Sequence, residues 1–147
     1  MKDLRSFLER VDSMGELKVV PGAHWDLEIG EMTQLLSQRE PSPAVVFDEI
    51  QGYPKGFRIA VNTLGSLSRL GMVLGVKSQD SRMEFIREWR QRYKDFKYIP
   101  PVVVKDGPVL ENVLEGDDVD MFMFPSPKWH KLDGGRYIGT AGATITR

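Results

Sequence analysis

The chain has 147 residues, 41% hydrophobic and 28% charged, a balance that lets a single domain bury a core. It contains no cysteine, which excludes a disulfide scaffold, a thiolate nucleophile and cysteine-ligated metal clusters. A formal net charge of −1 argues against general nucleic-acid binding. No leader pattern precedes the first amphipathic stretch, and no apolar run approaches the roughly 18 residues of a membrane span. We therefore expect a cytoplasmic protein.

Hydrophobic periodicity predicts the secondary structure. In chain order, the pattern predicts a helix over residues 3–14 that ends at Gly15, a strand over 16–20, a helix capped by Asp26 and ended by Pro41, strands over 44–47 and 57–61, a helix over 66–74, a long helix over 82–96, strands over 102–105 and 109–114, and a last strand over 138–146. Helices and strands mix without strict alternation. This order predicts a layered α/β or α+β fold.

The same spacing predicts which helix faces are buried. The predicted faces are Leu27, Met32, Leu35 and Leu36 on the second helix, and Met83, Ile86, Trp89 and Tyr93 on the long helix. Ser81 and Glu84 form a capping-box pattern where the long helix begins.

The two histidines are the first candidates for chemistry. Neither His24 nor His130 has the spacing of a metal-ligand pair. His24 precedes Trp25 and is interpreted as a packed or capping residue. His130 lies in a polar loop, where functional residues are more frequent, but a structural role remains the favoured interpretation.

Two charged runs are interpreted as solvated surface. The acidic run over residues 115–120 resembles a calcium loop only superficially, because Lys128 occupies the position of the bidentate glutamate. The long helix carries an excess of cations, which are Arg82, Arg87, Arg90, Arg92, Lys94 and Lys97. That face could meet a phosphate or an acidic partner, although a solvated helix surface is the favoured alternative.

Glycines cluster near the end of the sequence, at positions 134, 135, 139 and 142. Their spacing matches neither a P-loop nor a dinucleotide-binding fingerprint. No nucleophile–base pair, carboxylate dyad or metal constellation is evident, so the residues alone indicate a mixed α/β domain and no reaction.

Four segments resemble the UbiD family of reversible decarboxylases. They are residues 3–8 followed by Gly15-Glu16-Leu17, residues 24–29, the Leu-Glu-Gly-Asp-Asp-Val-Asp stretch over 114–120, and the signature-like run from Pro125 to Thr140 with its Asp-Gly-Gly-Arg-Tyr-Ile-Gly-Thr core. The last segment is the most specific, and all four occur in the family's order.

The resemblance implies an N-terminal α/β domain over residues 1–124, followed over 125–147 by a linker and the first strand of a split β-barrel. It also implies prenylated FMN as cofactor, with Mn²⁺ and K⁺, in the full-length enzyme. The family's metal ligands and catalytic Arg–Glu–Glu group lie downstream of every position matched here. No catalytic, cofactor-binding or metal-binding residue is therefore assigned, no bound cofactor is expected, and the chain alone is predicted to be inactive.

Three hypotheses about function remain open. The chain is the N-terminal domain of a decarboxylase of aromatic or other unsaturated acids, a non-catalytic scaffolding subunit, or an unrelated α/β binding domain. Under the first two, its partner is the remainder of the enzyme or a complementary subunit, with homo-oligomerisation expected at full length. Substrate identity and reaction direction are not encoded in the matched segments.

Overall fold

The computed structural model describes residues 3–77 and 81–139. Its elements are α1 (Leu4–Ser13), β1 (Leu17–Pro21), α2 (Glu28–Ser37), β2 (Ala44–Asp48), β3 (Ile59–Val61), α3 (Leu67–Leu74), α4 (Arg82–Lys94) and short 3₁₀ turns at Pro108–Leu110, Gly116–Asp118 and Met121–Met123. The predicted mixed α/β class is confirmed. None of the helices in the described ranges is long and apolar enough to cross a membrane.

The three strands form one sheet in the order β1–β2–β3. β1 and β2 are parallel, with Leu17 opposite Ala44, and α2 makes the crossover between them. β2 and β3 are antiparallel, with Phe47 opposite Ile59. β3 is shorter than predicted and begins at residue 59 instead of 57.

The central strand β2 is buried on both faces of the sheet. On one face Val45 and Phe47 pack with Ile29 of α2. On the other face Ala44 packs with Phe7 and Val11 of α1. Because side chains alternate along a strand, a continuous apolar run is what a doubly covered strand requires.

The predicted glycine end of α1 and the serine half of the predicted capping box of α4 are both present, and α3 has similar caps that were not predicted. Gly15 has a φ of 71° directly after α1, and Gly75 ends α3 in the left-handed region. The Ser66 side chain caps α3, and Ser81 Oγ accepts a hydrogen bond from the Glu84 amide at the start of α4. These local signals were sufficient because each cap depends only on neighbouring residues.

The prediction for α2 is wrong in two respects. The capping position belongs to Leu27, with a φ of 68° and no side-chain cap, and the Asp26 amide donates instead to His24 Nδ1. Of the predicted buried face, Met32 and Leu36 do pack, half-buried, against the core, but Leu35 is 66% exposed, and the fully buried residues are Ile29 and Gly30. The buried face is set by contacts with β2 and with a distant loop, which helical periodicity does not report.

The prediction for α4 also places the buried face wrongly. Phe85 is its one buried residue within the described ranges, while Met83 and Tyr93 are more than 60% exposed. α4 packs against α3. Only the side that faces α3 is therefore covered.

The strands predicted over residues 102–105 and 109–114 are absent. Val102 and Val103 are more than 80% exposed and irregular, and Pro108–Leu110 forms a 3₁₀ turn. A strand needs a neighbour for its backbone hydrogen bonds, and the described residues supply none here. From residue 140 onward, the strand predicted over 138–146 lies outside the described residues, and Ile138 and Gly139 are irregular.

A fully buried arginine ties the ends of the sheet together. The guanidinium of Arg69 donates to Glu16 Oε2 and to three backbone carbonyls, those of Ser42, Asn62 and Thr63. Ser42 precedes β2, Asn62 and Thr63 follow β3, and Glu16 lies at the start of β1. Burial acts to raise the pKa of Glu16, but hydrogen bonds from Ser68, Ser66 and Arg69 outweigh it and hold that pKa below its ordinary value.

We expect Glu16→Gln to lower the free energy of unfolding by about 3 kcal/mol at pH 7, because it leaves a buried guanidinium without its counter-charge. Folding lowers the pKa of this carboxyl below its ordinary value of 4.5. The stability it contributes is therefore fully present at pH values above 4.5 and is lost as the pH falls through the folded-state pKa. The difference between wild type and variant should therefore shrink in urea unfolding at pH 3. Glu9→Gln, on the exposed side of α1, serves as control, and an undiminished difference at pH 3 would contradict the assignment.

Candidate functional site

Two of the segments that carry the family resemblance pair with each other. The amide of Lys128 donates to the Trp25 carbonyl at 3.0 Å, and the amide of Leu27 donates to the Lys128 carbonyl at 2.9 Å. Asp26 and Lys128 thus form an isolated parallel bridge. The run that begins at Pro125 is therefore held at the beginning of α2, more than 90 residues away in sequence.

This pairing brings the loop backbone directly onto Gly30. A Cβ atom at Gly30 would lie 1.9 Å from the carbonyl oxygen of Trp129. Real side-chain carbons do not approach backbone oxygens this closely, so only glycine permits the contact. The Trp129 ring then packs on the core cluster formed by Ile29, Val45 and Phe47.

Arg136 fastens the other end of the loop. Its guanidinium carbon lies 4.2 Å from the ring centroid of Trp25, 5.1 Å from that of Phe122 and 5.7 Å from that of Tyr53. Its Nε donates to the Ser126 carbonyl at 2.7 Å, and a terminal nitrogen contacts the Tyr53 hydroxyl. Cation–π attraction and hydrogen bonding together join four segments that are distant in sequence.

The loop also has its own internal bonds. Trp129 Nε1 donates to the Tyr137 carbonyl at 3.1 Å, and the Tyr137 amide donates to the Pro127 carbonyl at 3.2 Å. The His130 amide donates to Asp133 Oδ2 at 2.8 Å. The Asp-Gly-Gly-Arg-Tyr turn is thus stabilised by hydrogen bonds within the loop itself, in addition to its contacts with the rest of the domain.

An apolar groove of about 470 Å³ runs between this loop and the edge of the sheet. Phe57, Ile59 and Ala60 line it on the β3 side, and Phe124, Trp129 and Ile138 line it on the loop side. β3 is the last strand of its sheet, so its outer edge has no strand partner among the described residues. The groove therefore combines an apolar surface with unpaired strand backbone, which favours a protein segment as its occupant.

The two histidines lie where a structural role suffices. His24 stacks on Trp25 with ring centroids 5.2 Å apart, and its Nδ1 accepts the Asp26 amide. His130 is exposed, with its Nδ1 3.6 Å from Asp133 Oδ2. The structure does not bring the two histidines into a common site.

The charged runs and glycines are likewise on the surface. The acidic run forms an exposed 3₁₀ turn at Gly116–Asp118, and the cations of α4 that the structure describes point away from the core. Gly134, Gly135 and Gly139 have open space where a Cβ would stand, and position 142 lies outside the described residues.

No three His, Asp or Glu side chains converge to hold a metal ion anywhere in ranges 3–77 and 81–139. The described residues therefore do not fit a manganese site on their own, and no reaction step can be assigned to them. That the chain carries no catalytic or cofactor-binding residue stays a prediction.

Comparison with known proteins identifies the family. The model of the 3-octaprenyl-4-hydroxybenzoate carboxy-lyase N-terminal domain matches residues 8–89, more than half of the chain. The chain belongs to the UbiD family. The Rift-related domain model of the same carboxy-lyase matches residues 102–147. The resemblance found in the sequence motifs is thereby confirmed.

The UbiD relatives are considerably longer than this chain. It is 32% identical to the pyrrole-2-carboxylic acid decarboxylase of Pseudomonas aeruginosa, with 99% of this chain and 30% of the relative aligned. It is 30% identical to a phenolic acid decarboxylase of Streptomyces sp., with 99% and 31% aligned. The chain thus spans about 30% of the length of these relatives.

Solved UbiD-type structures share the fold. The open form of the Sedimentibacter hydroxybenzoicus vanillic acid decarboxylase with truncated ShVdcD superimposes with a TM-score of 0.79 at 30% identity, over 94% of this chain and 30% of that one. The closed form gives 0.79 over 94% and 29%.

The residues that join the UbiD signature loop to the domain are not predictable from sequence motifs. Gly30 lies inside a helix, and Tyr53 lies in a turn, where neither matches a motif. Arg136 is part of the signature but was not singled out. Their roles arise only when distant segments meet, and the one available signal was a glycine within an otherwise regular helix.

Gly30→Ala is expected to release the signature loop, since the new methyl group collides with backbone and not with a flexible side chain. Overpacking of this kind costs about 1–3 kcal/mol. Hydrogen–deuterium exchange should rise in peptides covering residues 125–139. Gly135→Ala, which adds a methyl group in open space, is the control; equal exchange in both variants would refute the contact.

Arg136→Met should lower the free energy of unfolding by about 1–2 kcal/mol, since it removes both the cation–π contacts and the bond to the Ser126 carbonyl. Arg136→Lys retains the charge but not the planar fork and should fall between wild type and Arg136→Met. Guanidinium unfolding followed by tryptophan fluorescence measures both variants. Arg39→Met, at an exposed position, should change stability little, and a similar loss there would point to a general charge effect.

Proposed function

We propose that this chain forms the N-terminal domain of a UbiD-type carboxy-lyase that removes or adds CO₂ on aromatic or other unsaturated carboxylic acids. The observation that carries the proposal is the pairing of the signature loop with the Trp25–Leu27 segment, because it joins the regions matched by the two family models. The decarboxylases of pyrrole-2-carboxylic and phenolic acids among the relatives support the substrate class.

In this proposal the domain positions the barrel and does not perform the reaction. Prenylated FMN, with Mn²⁺ and K⁺, belongs to the full-length enzyme, and the described residues contain no cluster of metal ligands. The chain contributes a fixed support for the barrel. Gly30 allows the signature loop to contact α2, Arg136 binds the Ser126 carbonyl within the loop, and Trp129 packs against the core. The division at residues 124 and 125 and the cytoplasmic location belong to the same proposal.

The apolar groove beside β3 is the proposed contact for the barrel. An additional strand or loop there would cover Phe57, Ile59 and Phe124 and would satisfy the backbone groups at the sheet edge. The partner is the remainder of a decarboxylase polypeptide, whether it continues this chain or is supplied as a separate subunit, with homo-oligomerisation of the assembled enzyme.

A scaffolding subunit is the second candidate. The solved vanillic acid decarboxylase is named ShVdcCD, and one form contains a truncated ShVdcD, so that enzyme comprises more than one named component. A domain of this kind could pair through the same groove and retain no catalytic role.

Complementation separates the two candidates. The chain alone should bind no prenylated flavin and release no CO₂ from pyrrole-2-carboxylate or phenolic acids. When it is mixed with the Pseudomonas relative from which the matching N-terminal part has been deleted, flavin absorbance and CO₂ release should appear. Binding without activity would favour the scaffold, and activity of the chain alone would contradict the predicted division of labour.

The groove itself is tested by Ile138→Asp, which places a charge in an apolar lining at a position 66% exposed. Complementation should fall at least tenfold while the fold, monitored by circular dichroism, is unchanged. Leu132→Asp makes the same change in the same loop, at a side chain 96% exposed and outside the groove, and should complement normally. Equal activity of the two variants would remove the groove from the interface.

A further inference from the structure

Two aspartates in the described ranges hold their own carboxylate against the amide of the next residue. Asp106 Oδ1 accepts a hydrogen bond from the Gly107 amide at 2.8 Å, and Asp48 Oδ1 accepts one from the Glu49 amide at 2.8 Å. Each contact places an amide nitrogen beside the carboxyl carbon that it could attack. Holding two reacting groups in this way accelerates a reaction between them.

The two aspartates differ in the freedom of the backbone around them. Asp106 is exposed, and Gly107 has open space where a Cβ would stand. Because glycine has no side chain, its nitrogen is unhindered and the adjoining backbone rotates easily. Asp48 is half-buried at the end of β2, its carbonyl accepts the Gly22 amide at 2.9 Å, and the next residue carries a side chain. Close contact and free rotation therefore coincide at Asp106.

The signature loop contains the second of the two Asp-Gly pairs in the sequence, Asp133-Gly134. Here the carboxylate is turned the other way: Asp133 Oδ2 accepts the His130 amide at 2.8 Å and lies 3.6 Å from His130 Nδ1. The Asp133 amide donates to the His130 carbonyl at 3.1 Å, which fixes the backbone as well. Within ranges 3–77 and 81–139, no hydrogen bond joins this carboxylate to the Gly134 amide.

We propose that Asp106 is a site of spontaneous isomerisation to isoaspartate, and that the fold of the signature loop protects Asp133 from the same reaction. The reaction takes place between adjacent residues, so it requires no partner, and the proposal does not depend on the decarboxylase assignment. It gives the contact between His130 and Asp133 a protective role that neither residue shows by its type alone.

The reaction consumes and returns one molecule of water. The Gly107 nitrogen bonds to the side-chain carboxyl carbon of Asp106, and the amide proton leaves with the carboxyl hydroxyl as water, which gives a cyclic succinimide. Water then opens the ring. Attack at the side-chain carbonyl restores aspartate. Attack at the main-chain carbonyl breaks its bond to the Gly107 nitrogen, so that the main chain now runs through the former side chain of Asp106.

A protease that cleaves before aspartate but not before isoaspartate reports the reaction. The folded 147-residue chain is incubated for several weeks at pH 6 and 37 °C, then unfolded and digested. Cleavage before Asp106 should be lost at least about tenfold faster than cleavage before Asp133 or Asp48. The uncleaved peptide should have an unchanged mass, because isomerisation adds no atoms. Equal losses at Asp106 and Asp133, or no loss at Asp106, would overturn the proposal.

Incubation in guanidinium chloride separates the effect of the fold from that of the dipeptide. In the unfolded chain both Asp-Gly pairs lose their fixed geometry, so cleavage before Asp106 and before Asp133 should be lost at similar rates. Folding should leave the rate at Asp106 undiminished and lower the rate at Asp133 at least about tenfold. A much slower reaction at Asp106 in the folded chain would contradict the proposed geometry, and an Asp133 that stays unreactive when unfolded would remove the protective role of the loop.

Two glycine variants form a matched pair. Gly107→Ala and Gly134→Ala each add a methyl group in open space, and neither glycine has a φ in the left-handed region, so circular dichroism should be unchanged. Gly107→Ala should slow the loss of cleavage before Asp106 at least about tenfold, because the methyl group hinders the attacking nitrogen. Gly134→Ala should leave that rate at the wild-type value. A wild-type rate in Gly107→Ala would overturn the assignment of Gly107 as the nucleophile.

Discussion

The buried guanidinium of Arg69 is the constraint on which the sheet depends. Three strands of three to five residues are too short to hold one another by backbone bonds alone. Arg69 is fully buried and is neutralised by Glu16, while its other donors bind carbonyls next to β2 and β3. An uncompensated charge in this position would be strongly destabilising, so the carboxylate at the start of β1 and the carbonyls beside the other two strands must be in place together. The parallel and antiparallel pairings around β2 are thereby fixed in one arrangement.

A second constraint connects this sheet to the UbiD signature. The Trp129 backbone can approach α2 only because position 30 is glycine, and Arg136 holds the loop through rings from three other segments. The loop that names the family is therefore part of the packing of the N-terminal domain, and also forms one wall of the groove beside β3. The contacts that pack the core therefore also set the shape of the groove.

Polarity divides the molecule beyond the core. Most apolar side chains of the first half are at least half-buried, whereas residues 96–124 expose many valine, leucine, methionine and phenylalanine side chains. Exposed apolar surface of this extent marks interaction sites. The cations of α4 are separate from the acids of residues 106–120. This separation would orient a bound partner, because complementary charges set orientation as well as attraction.

The sequence by itself determined the elements whose causes are local: α1 with the glycine that ends it, the serine cap of α4, the doubly buried run of β2, and the family, through motifs that need no coordinates. It found Met32 and Leu36 of α2 but not the fully buried Ile29 and Gly30, and it misplaced the buried face of α4, since these depend on which element lies opposite. The valines of residues 102–104 predict a strand because β-propensity does not report whether a neighbouring strand exists. Only the tertiary structure could bring residues 25, 30, 53, 122 and 136 to one place, because contacts across such sequence distances are fixed by packing and leave no periodic trace in the chain.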